Sequence, residues 1–344
     1  MTAQPLVSVI VPVHNGADFL DRCLAAAASS SYSNLEIIVI DDASTDASAA
    51  IAERHAVSVV GLPVQSGPGA ARNAGARRAR GDIFFFVDSD VVIHVDAVAR
   101  AVAQLERDPG VAAVFGSYDD SPVAPGLVSQ YKNLQHHFVH QTASAEASTF
   151  WAGCGAIRRR AFEALGGFDA ERYSRPAIED IELGYRLRAR GYRIRLDKAV
   201  QGTHLKRWTL SSWLRADIVG RALPWSRLIL DQKEIVRDLN LRIADRVSAG
   251  LLGLSALLMA AAPLHPRLLW IAALFLVVVG ALNRAFYAFA RQRRGLWFAA
   301  RVIPLHFLYF LYSGAIFAAC WLTRPFRTGP GHASRVEPTL DGPP

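Results

Sequence analysis

Two carboxylates one residue apart, Asp88 and Asp90 of Asp88-Ser89-Asp90, close the most apolar run of the N-terminal region, Ile83-Phe84-Phe85-Phe86-Val87. Packing explains such a pair poorly, because each carboxylate costs free energy unless it is solvated or paired. Mg2+ and Mn2+ take oxygen ligands, typically one or two carboxylates together with substrate phosphates. The pair therefore points to a cation site, against the alternative of a solvated acidic turn. A second acidic stretch, Asp41-Asp42-Ala43-Ser44-Thr45-Asp46, follows another apolar run. A carboxylate there can accept from a base N–H or a ribose hydroxyl. Equally, the stretch reads as an Asx turn with Ser44 or Thr45 capping the next helix. From Gln65 to Gly75, glycines open a helical stretch, so backbone N–H groups can approach an anion, and Arg72 can add charge-assisted bonds to a diphosphate. The spacing is neither a Walker A nor a dinucleotide GxGxxG, and a plain loop-to-helix junction stays open. Glu179-Asp180 begins an amphipathic helix running to Gly191. Acids in a first turn suit the helix dipole; the functional reading makes Asp180 a general base. His204 on its own is more often structural than catalytic.

These residues must be positioned by elements. Short apolar runs at 7–11, 36–40, 57–60 and 83–87 read as strands, and 17–28, 45–54 and 70–79 read as helices. Strands alternating with helices predict an α/β fold, Rossmann-like, with a largely parallel sheet. Ligands of such sheets bind beyond the carboxyl ends of the strands, where the acidic residues fall.

After Lys206 the character changes. Trp208, Trp213 and Trp225 interleave with Arg207, Arg215, Arg221 and Arg227, which suits either the headgroup layer or an ordinary amphipathic helix on the first domain. Apolar segments follow at 247–264, 268–290 and 302–322; the second and third are long enough to span a membrane, and the first is marginal. Asn283-Arg284 interrupts the second, and Pro304 and His306 sit early in the third. We therefore expect a first domain over 1–206, amphipathic interface helices over 207–246, a membrane region over 247–322 with three crossings, and a disordered Pro- and Gly-rich tail over 323–344. The opening Met1-Thr2-Ala3-Gln4-Pro5 lacks a signal peptide's basic and apolar regions, so the first domain is expected in the cytosol. The formal net charge of +8 fits an anionic membrane surface better than nucleic acid, given how the arginines flank the apolar segments. The three cysteines, Cys23, Cys154 and Cys320, form no CxxC pair and imply neither a disulfide framework nor a zinc site.

Taken in order, the motifs resemble the family 2 glycosyltransferases with the GT-A fold. The matching stretches are Val7 to Asn15, Val39 to Asp46, Gly69 to Gly75, Asp88-Ser89-Asp90, Gly166-Gly167-Phe168-Asp169, Glu179-Asp180 and His204 to Trp208. The resemblance implies that Asp42 binds the nucleobase, with Pro12, Val13 and Asn15 lining the nucleotide pocket. It implies Asp88 at the sugar or ribose, Arg72 on the donor, and Asp90 with His204 at a divalent metal, Mg2+ or Mn2+. Asp180 would be the base. Gly153 and Cys154 would shape the acceptor side, and Glu179, Arg207 and Trp208 would serve the acceptor or the diphosphate. Processive relatives carry Gln-x-x-Arg-Trp; here the stretch is His204-Leu205-Lys206-Arg207-Trp208, which implies transfer of single sugars.

The expected activity is an inverting, metal-dependent hexosyl transfer from a nucleotide-sugar donor, UDP- or GDP-linked, to a lipid-linked or saccharide acceptor. The expected location is the inner (plasma) membrane, with several crossings, the catalytic domain on the cytoplasmic side and no nucleic-acid partner. A sugar nucleotidyltransferase also binds nucleotides on an α/β sheet but leaves the apolar segments and Glu179-Asp180 without a role. A non-catalytic membrane scaffold leaves the acidic set without one.

Overall fold

The structure is a computed structural model and describes residues 4–231, 239 and 242–324. Its first half is built from β1 (Val7–Val13), α1 (Ala17–Ala28), β2 (Leu35–Asp41), α2 (Ser48–Glu53), β3 (Ser58–Gly61), α3 (Pro68–Arg78) and β4 (Ile83–Val87). All seven residues of β1 and all five of β4 are buried, as strands covered on both faces must be. α1 buries Leu20, Cys23, Leu24 and Ala27, one helical stripe at i, i+3, i+4 and i+7. The four strands pair in parallel, in the order β3-β2-β1-β4.

The second half departs from the expected parallel sheet. It comprises β5 (Val91–Ile93), α4 (Ala97–Arg107), β6 (Val111–Tyr118), α5 (Leu127–Thr142), β7 (Glu146–Ala147), β8 (Cys154–Arg158), α6 (Arg159–Ala164), α7 (Glu179–Ala189) and β9 (Arg193–His204). β8 slots between β4 and β6 antiparallel to both; β9 runs parallel to β6 and antiparallel to β5 and β7. The result is one mixed sheet, ordered β3-β2-β1-β4-β8-β6-β9-β5, in an α/β architecture. An antiparallel neighbour needs no crossover helix, so strand–helix alternation does not announce it. β8 also reads Cys-Gly-Ala-Ile-Arg, with little of the β-branched and aromatic signal that marks strands.

The remainder is helical. α8 (Leu210–Asp217) opens on a capping box between Thr209 and Ser212 and runs through a π-helical turn, Ile218–Ala222, into α9 (Leu223–Asp231). Then come α10 (Ile243–Ala261), α11 (Leu268–Leu282), α12 (Arg284–Arg294) and α13 (Leu296–Leu322). By length and composition α10 and α13 can each cross a membrane; α11 and α12 form a third candidate bent by 63°. The break falls at Asn283, whose Nδ2 donates to Ser248 Oγ and to the Val279 carbonyl at 2.9 Å each. α13 begins before the expected segment and keeps Pro304 inside it. Leu254, Leu257, Trp270, Leu274 and Val277 face outward, an apolar surface that water would not favour. Arg237, Arg327 and the expected disordered tail beyond Arg324 lie outside the described residues.

Candidate active site

The loops after β1 and β2 are laced to each other. Asn15 N–H donates to Ser44 Oγ (3.0 Å), and Thr45 N–H donates to Asn15 Oδ1 (2.8 Å). Asn15 and Ala43 both hold positive φ, 51° and 55°, a conformation that asparagine tolerates better than alanine. Asp41 Oδ1 accepts from Ser44 N–H, as an Asx turn requires. The residue binding the start of α2 is Asp46, not Ser44 or Thr45: its Oδ1 accepts from Ser48 N–H (2.9 Å), and its Oδ2 ties in Ala17 N–H (3.0 Å). Pro12 and Val13 are buried beside Ile40 and Asp41. Asp42 accepts from Ser66 N–H at 2.7 Å and Gly67 N–H at 2.8 Å, so the carboxylate pins the loop that opens α3. Gly67 sits at φ 88°, and a Cβ there would lie 2.5 Å from the Ser174 carbonyl oxygen, so only glycine fits.

α3 delivers Arg72 inward. It is 4% exposed, and it donates from Nη1 to Glu179 Oε1 (2.8 Å) and from Nη2 to Asp88 Oδ1 (2.6 Å). Its Nε is buried without a partner. The guanidinium is therefore a clamp between the end of β4 and the start of α7, buried and committed to two carboxylates. Glu179 is equally internal, its Oε2 accepting from Ala177 N–H (3.1 Å).

Next to this clamp stands Asp180. Its Oδ2 accepts from Ala152 N–H (3.1 Å) and its Oδ1 from Ile181 N–H (2.8 Å). α7 can approach residues 149–152 this closely because Gly184 has no side chain: a Cβ there would fall 2.4 Å from Phe150 N. Burial, with the charge of Glu179 added, pushes the Asp180 carboxyl up to about 6, against the opposing pull of Arg72 and Ala152 N–H. A carboxyl tuned upward beside a sheet edge suits a base working near neutral pH.

The acidic pair closes the ring. Asp88 N–H donates to the Gly153 carbonyl (3.2 Å), joining β4's end to the loop that also holds Asp180. Asp90 Oδ2 lies 3.7 Å from His204 Nε2, which register brings opposite Val91. The two carboxyls are driven apart. Burial raises Asp88 despite Arg72. For Asp90 the same burial is outweighed by His204 and Lys206, which hold it below the usual carboxylate range. Among the described residues no three His, Cys, Asp or Glu side chains form a ready metal cage. Asp90 and His204, too far apart for a hydrogen bond, still fit a cation that completes its shell with substrate phosphates, as Mg2+ and Mn2+ do.

Other expected residues are placed differently. Cys154 is fully buried on β8 beside Val87, its thiol pushed up to about 12 by burial, so it packs the core and presents no group to an acceptor. Gly153 lies under the Trp151 ring, where a Cβ would come within 2.5 Å. Arg207 is exposed, and Trp208 is anchored by its N–H to Ser129 Oγ (2.8 Å) with Lys206 over its ring.

A cluster that the sequence reading missed flanks His204. Tyr118 stacks on His204 with ring centres 4.2 Å apart, Trp151 meets Tyr118 edge-on at 4.8 Å, and His136 lies 4.7 Å from Trp151 and 3.9 Å from His140. His136 and His140 are one helical turn apart on α5, the one spacing that could have drawn attention to them. Burial holds both well below the usual histidine range, His140 at about 4, so they are neutral at pH 7.

Residues 8–166 match the family model described as Glycosyl transferase family 2. The match spans just under half of the chain, as one domain similar to the family 2 glycosyl transferases. That domain contains Asp42, Arg72, Asp88, Asp90 and Ala152, whereas Asp180 and His204 lie beyond the matched residues. An uncharacterized glycosyltransferase of Haemophilus influenzae is 39% identical over 28% of this chain and 41% of its own length. A Mesorhizobium japonicum N-acetylglucosaminyltransferase is 27% identical over 98% of this chain and 84% of its own. The chain spans about half the length of the first curated relatives it matches. Among solved structures, the mannosyltransferase PcManGT of Pyrobaculum calidifontis, in complex with GDP-Man and Mn2+, superposes with a TM-score of 0.57 at 22% identity. The superposition covers 95% of this chain and 89% of that one, and it is a likeness of fold.

Proposed function

We propose that this protein is a membrane-associated, inverting glycosyltransferase that moves a single hexose-type sugar from a nucleotide-sugar donor to a lipid-linked or saccharide acceptor. The observation that carries the reading is Asp180, fixed by Ala152 N–H with its carboxyl raised to about 6, across the Arg72 clamp from Asp88 and Asp90. Asp180 accepts the proton of the acceptor hydroxyl as its oxygen attacks the anomeric carbon from the face opposite the leaving group, which inverts the centre. Asp42, Pro12, Val13 and Asn15 line the nucleotide side, and Asp88 sits at the sugar. Asp90 and His204 would hold Mg2+ or Mn2+, which offsets charge on the departing nucleoside diphosphate. Arg207 and Trp208 border the diphosphate and acceptor side. Donor candidates come from the relatives: a nucleotide-linked N-acetylglucosamine from the Mesorhizobium enzyme's name, and GDP-mannose from PcManGT's bound ligand.

The test is a donor panel of UDP- and GDP-sugars with purified protein, membrane lipids and Mg2+ or Mn2+. Product NMR should show one sugar added with inverted configuration, and EDTA should abolish transfer until metal is restored. A retained anomeric configuration, or full activity in chelator, overturns the mechanism.

On this reading the catalytic domain lies at the cytoplasmic face of the plasma membrane. Arg242 lines a cavity with Gln135 and Phe138 of α5, and Arg294 Nε donates to Gln130 of α5 at 2.8 Å, so both basic helix ends lie on the catalytic-domain side. With the native cysteines replaced, His265→Cys in the α10–α11 turn should react with an impermeant thiol reagent in intact cells. Reaction only after lysis would reverse the topology.

A further inference from the structure

We propose that Arg221 is a phosphate-binding residue of this site, reaching toward Asp180 from the helix that joins the catalytic domain to the apolar helices. It rests on the transferase reading above. The π-helical turn Ile218–Ala222 is the one place where the long helix from Leu210 to Asp231 leaves α-geometry, and such single turns are frequent at functional sites. The turn rests on the approach to the proposed base: a Cβ on Gly220 would lie 3.1 Å from the carbonyl oxygen of Pro176, three residues before Glu179. Trp225 Nε1, one turn on, donates to Tyr185 OH of α7 (3.2 Å), so the joining helix runs along the helix that Asp180 begins.

Arg221 is exposed, and among the described residues it makes no hydrogen bond or ion pair. Its natural partner would be Asp217, four residues earlier. That carboxylate is already taken by both contacts of Lys132 Nζ (2.8 and 2.7 Å), by Trp213 Nε1 (2.9 Å) and by Tyr312 OH (2.8 Å). The guanidinium is thus free to serve another anion; it follows directly on Gly220, whose backbone packs on Pro176 ahead of α7, and its positive charge favours the ionised form of Asp180. A phosphate entering there meets the carboxylates of Asp180, Asp88 and Asp90. Arg72 offsets them only in part, since one guanidinium already serves both Asp88 and Glu179. A planar guanidinium can, with two parallel bonds to phosphate oxygens. The phosphate belongs either to the donor's diphosphate or to a lipid phosphate acceptor.

The experiment compares wild type, Arg221→Gln and Arg221→Lys in the full chain. Binding of UDP and GDP with Mg2+ is measured by calorimetry. Transfer to a short polyprenyl phosphate and hydrolysis of the donor in its absence are measured separately, with Tm as control. Arg221→Gln should weaken its phosphate by roughly 10- to 100-fold, as loss of a charged hydrogen bond does, and Arg221→Lys should recover part of it. Weakened nucleotide affinity assigns the donor diphosphate. Unchanged nucleotide affinity and hydrolysis, with a raised KM for the polyprenyl phosphate, assigns the acceptor. Wild-type affinities and KM in Arg221→Gln, or a fall in kcat and Tm alone, overturn the proposal. Wild type that neither binds nucleotide nor turns over any donor overturns the transferase reading itself.

Discussion

Two buried charge clusters hold this molecule together, and they are built to opposite plans. At the sheet edge, Arg72 serves Asp88 and Glu179, with Asp180 and Asp90 close by and its own Nε unpartnered. At the junction with the apolar helices, Asp217 receives Lys132, Trp213 and Tyr312, drawing α5, α8 and α13 onto one carboxylate. The first cluster has more acid than base and so has an unmet need for positive charge. The second is closed: the carboxylate is bonded by one cation and two neutral donors, with the charge of Arg221 nearby. Packing alone would favour the closed plan at both places, since a partly satisfied buried network is costly. An open one persists where a ligand completes it.

The largest effect should come from the open cluster. Asp180→Asn keeps the side chain's size and removes its basicity, and loss of a general base lowers kcat by about 10²- to 10⁴-fold. Nucleotide affinity, read by calorimetry, should hold. In wild type, kcat/KM should climb with pH and level off above about 6, the value to which Asp180 is raised, because the base works only when ionised. A flat profile through that range removes Asp180 from the proton transfer.

The closed cluster should respond in stability. Lys132→Met removes the cation bonded to buried Asp217 and leaves it two neutral donors with Arg221 nearby; fully unpairing a buried charge costs about 3–5 kcal/mol, the upper bound here. A marked fall in Tm, with activity per folded molecule retained, is the expected result. Activity lost without a change in Tm would make the junction part of the catalytic apparatus and erase the contrast.

The smallest effect separates the two plans within one variant. A folded-state pKa raised from 3.8 to about 6 means that the native protein holds a proton which the unfolded chain has released. Stability then falls as pH rises through that window, and ionised Asp180 is a burden above it. Asp180→Asn should therefore raise Tm at pH 7 and leave it unchanged below pH 4. A lower Tm at pH 7 would mean that the carboxylate is wanted for its bonds to Ala152 and Ile181.

Much of the first half was legible because its signals are local. Fully buried parallel strands read as near-continuous apolar runs, and 7–11, broken only by Ser8, and 83–87 do. Asp88 and Asp90 stood out because strand ends rarely carry two acids without cause. The bend at Asn283 was marked by a polar residue in an apolar segment. What stayed hidden depends on partners far along the chain. Arg72 looked like an anion binder beside its glycines; only Glu179, 107 positions away, turns it into a clamp. β8 was missed for want of bulky residues, and with it the antiparallel half of the sheet. Asp217 and Tyr118 carry no local pattern that separates them from ordinary helix and strand residues, and Arg221 stood out only as one of four arginines interleaved with tryptophans.

The reach of Asp217 also fixes a waterline. Tyr312 stands about 24 Å along α13 from Leu296, at 1.5 Å per residue, and Ser313 to Leu322 add only about 15 Å more. A hydrocarbon core is ~30 Å thick. On the membrane-bound reading, α13 can cross it only if the boundary runs well on the Leu296 side of Tyr312, level with parts of α5 and the joining helices. The catalytic domain then floats low, its lower rim submerged, and the closed charge cluster sits under the surface, where a satisfied carboxylate can stay dry. A lipid acceptor would be met at its own depth, with little of its chain lifted out of the bilayer.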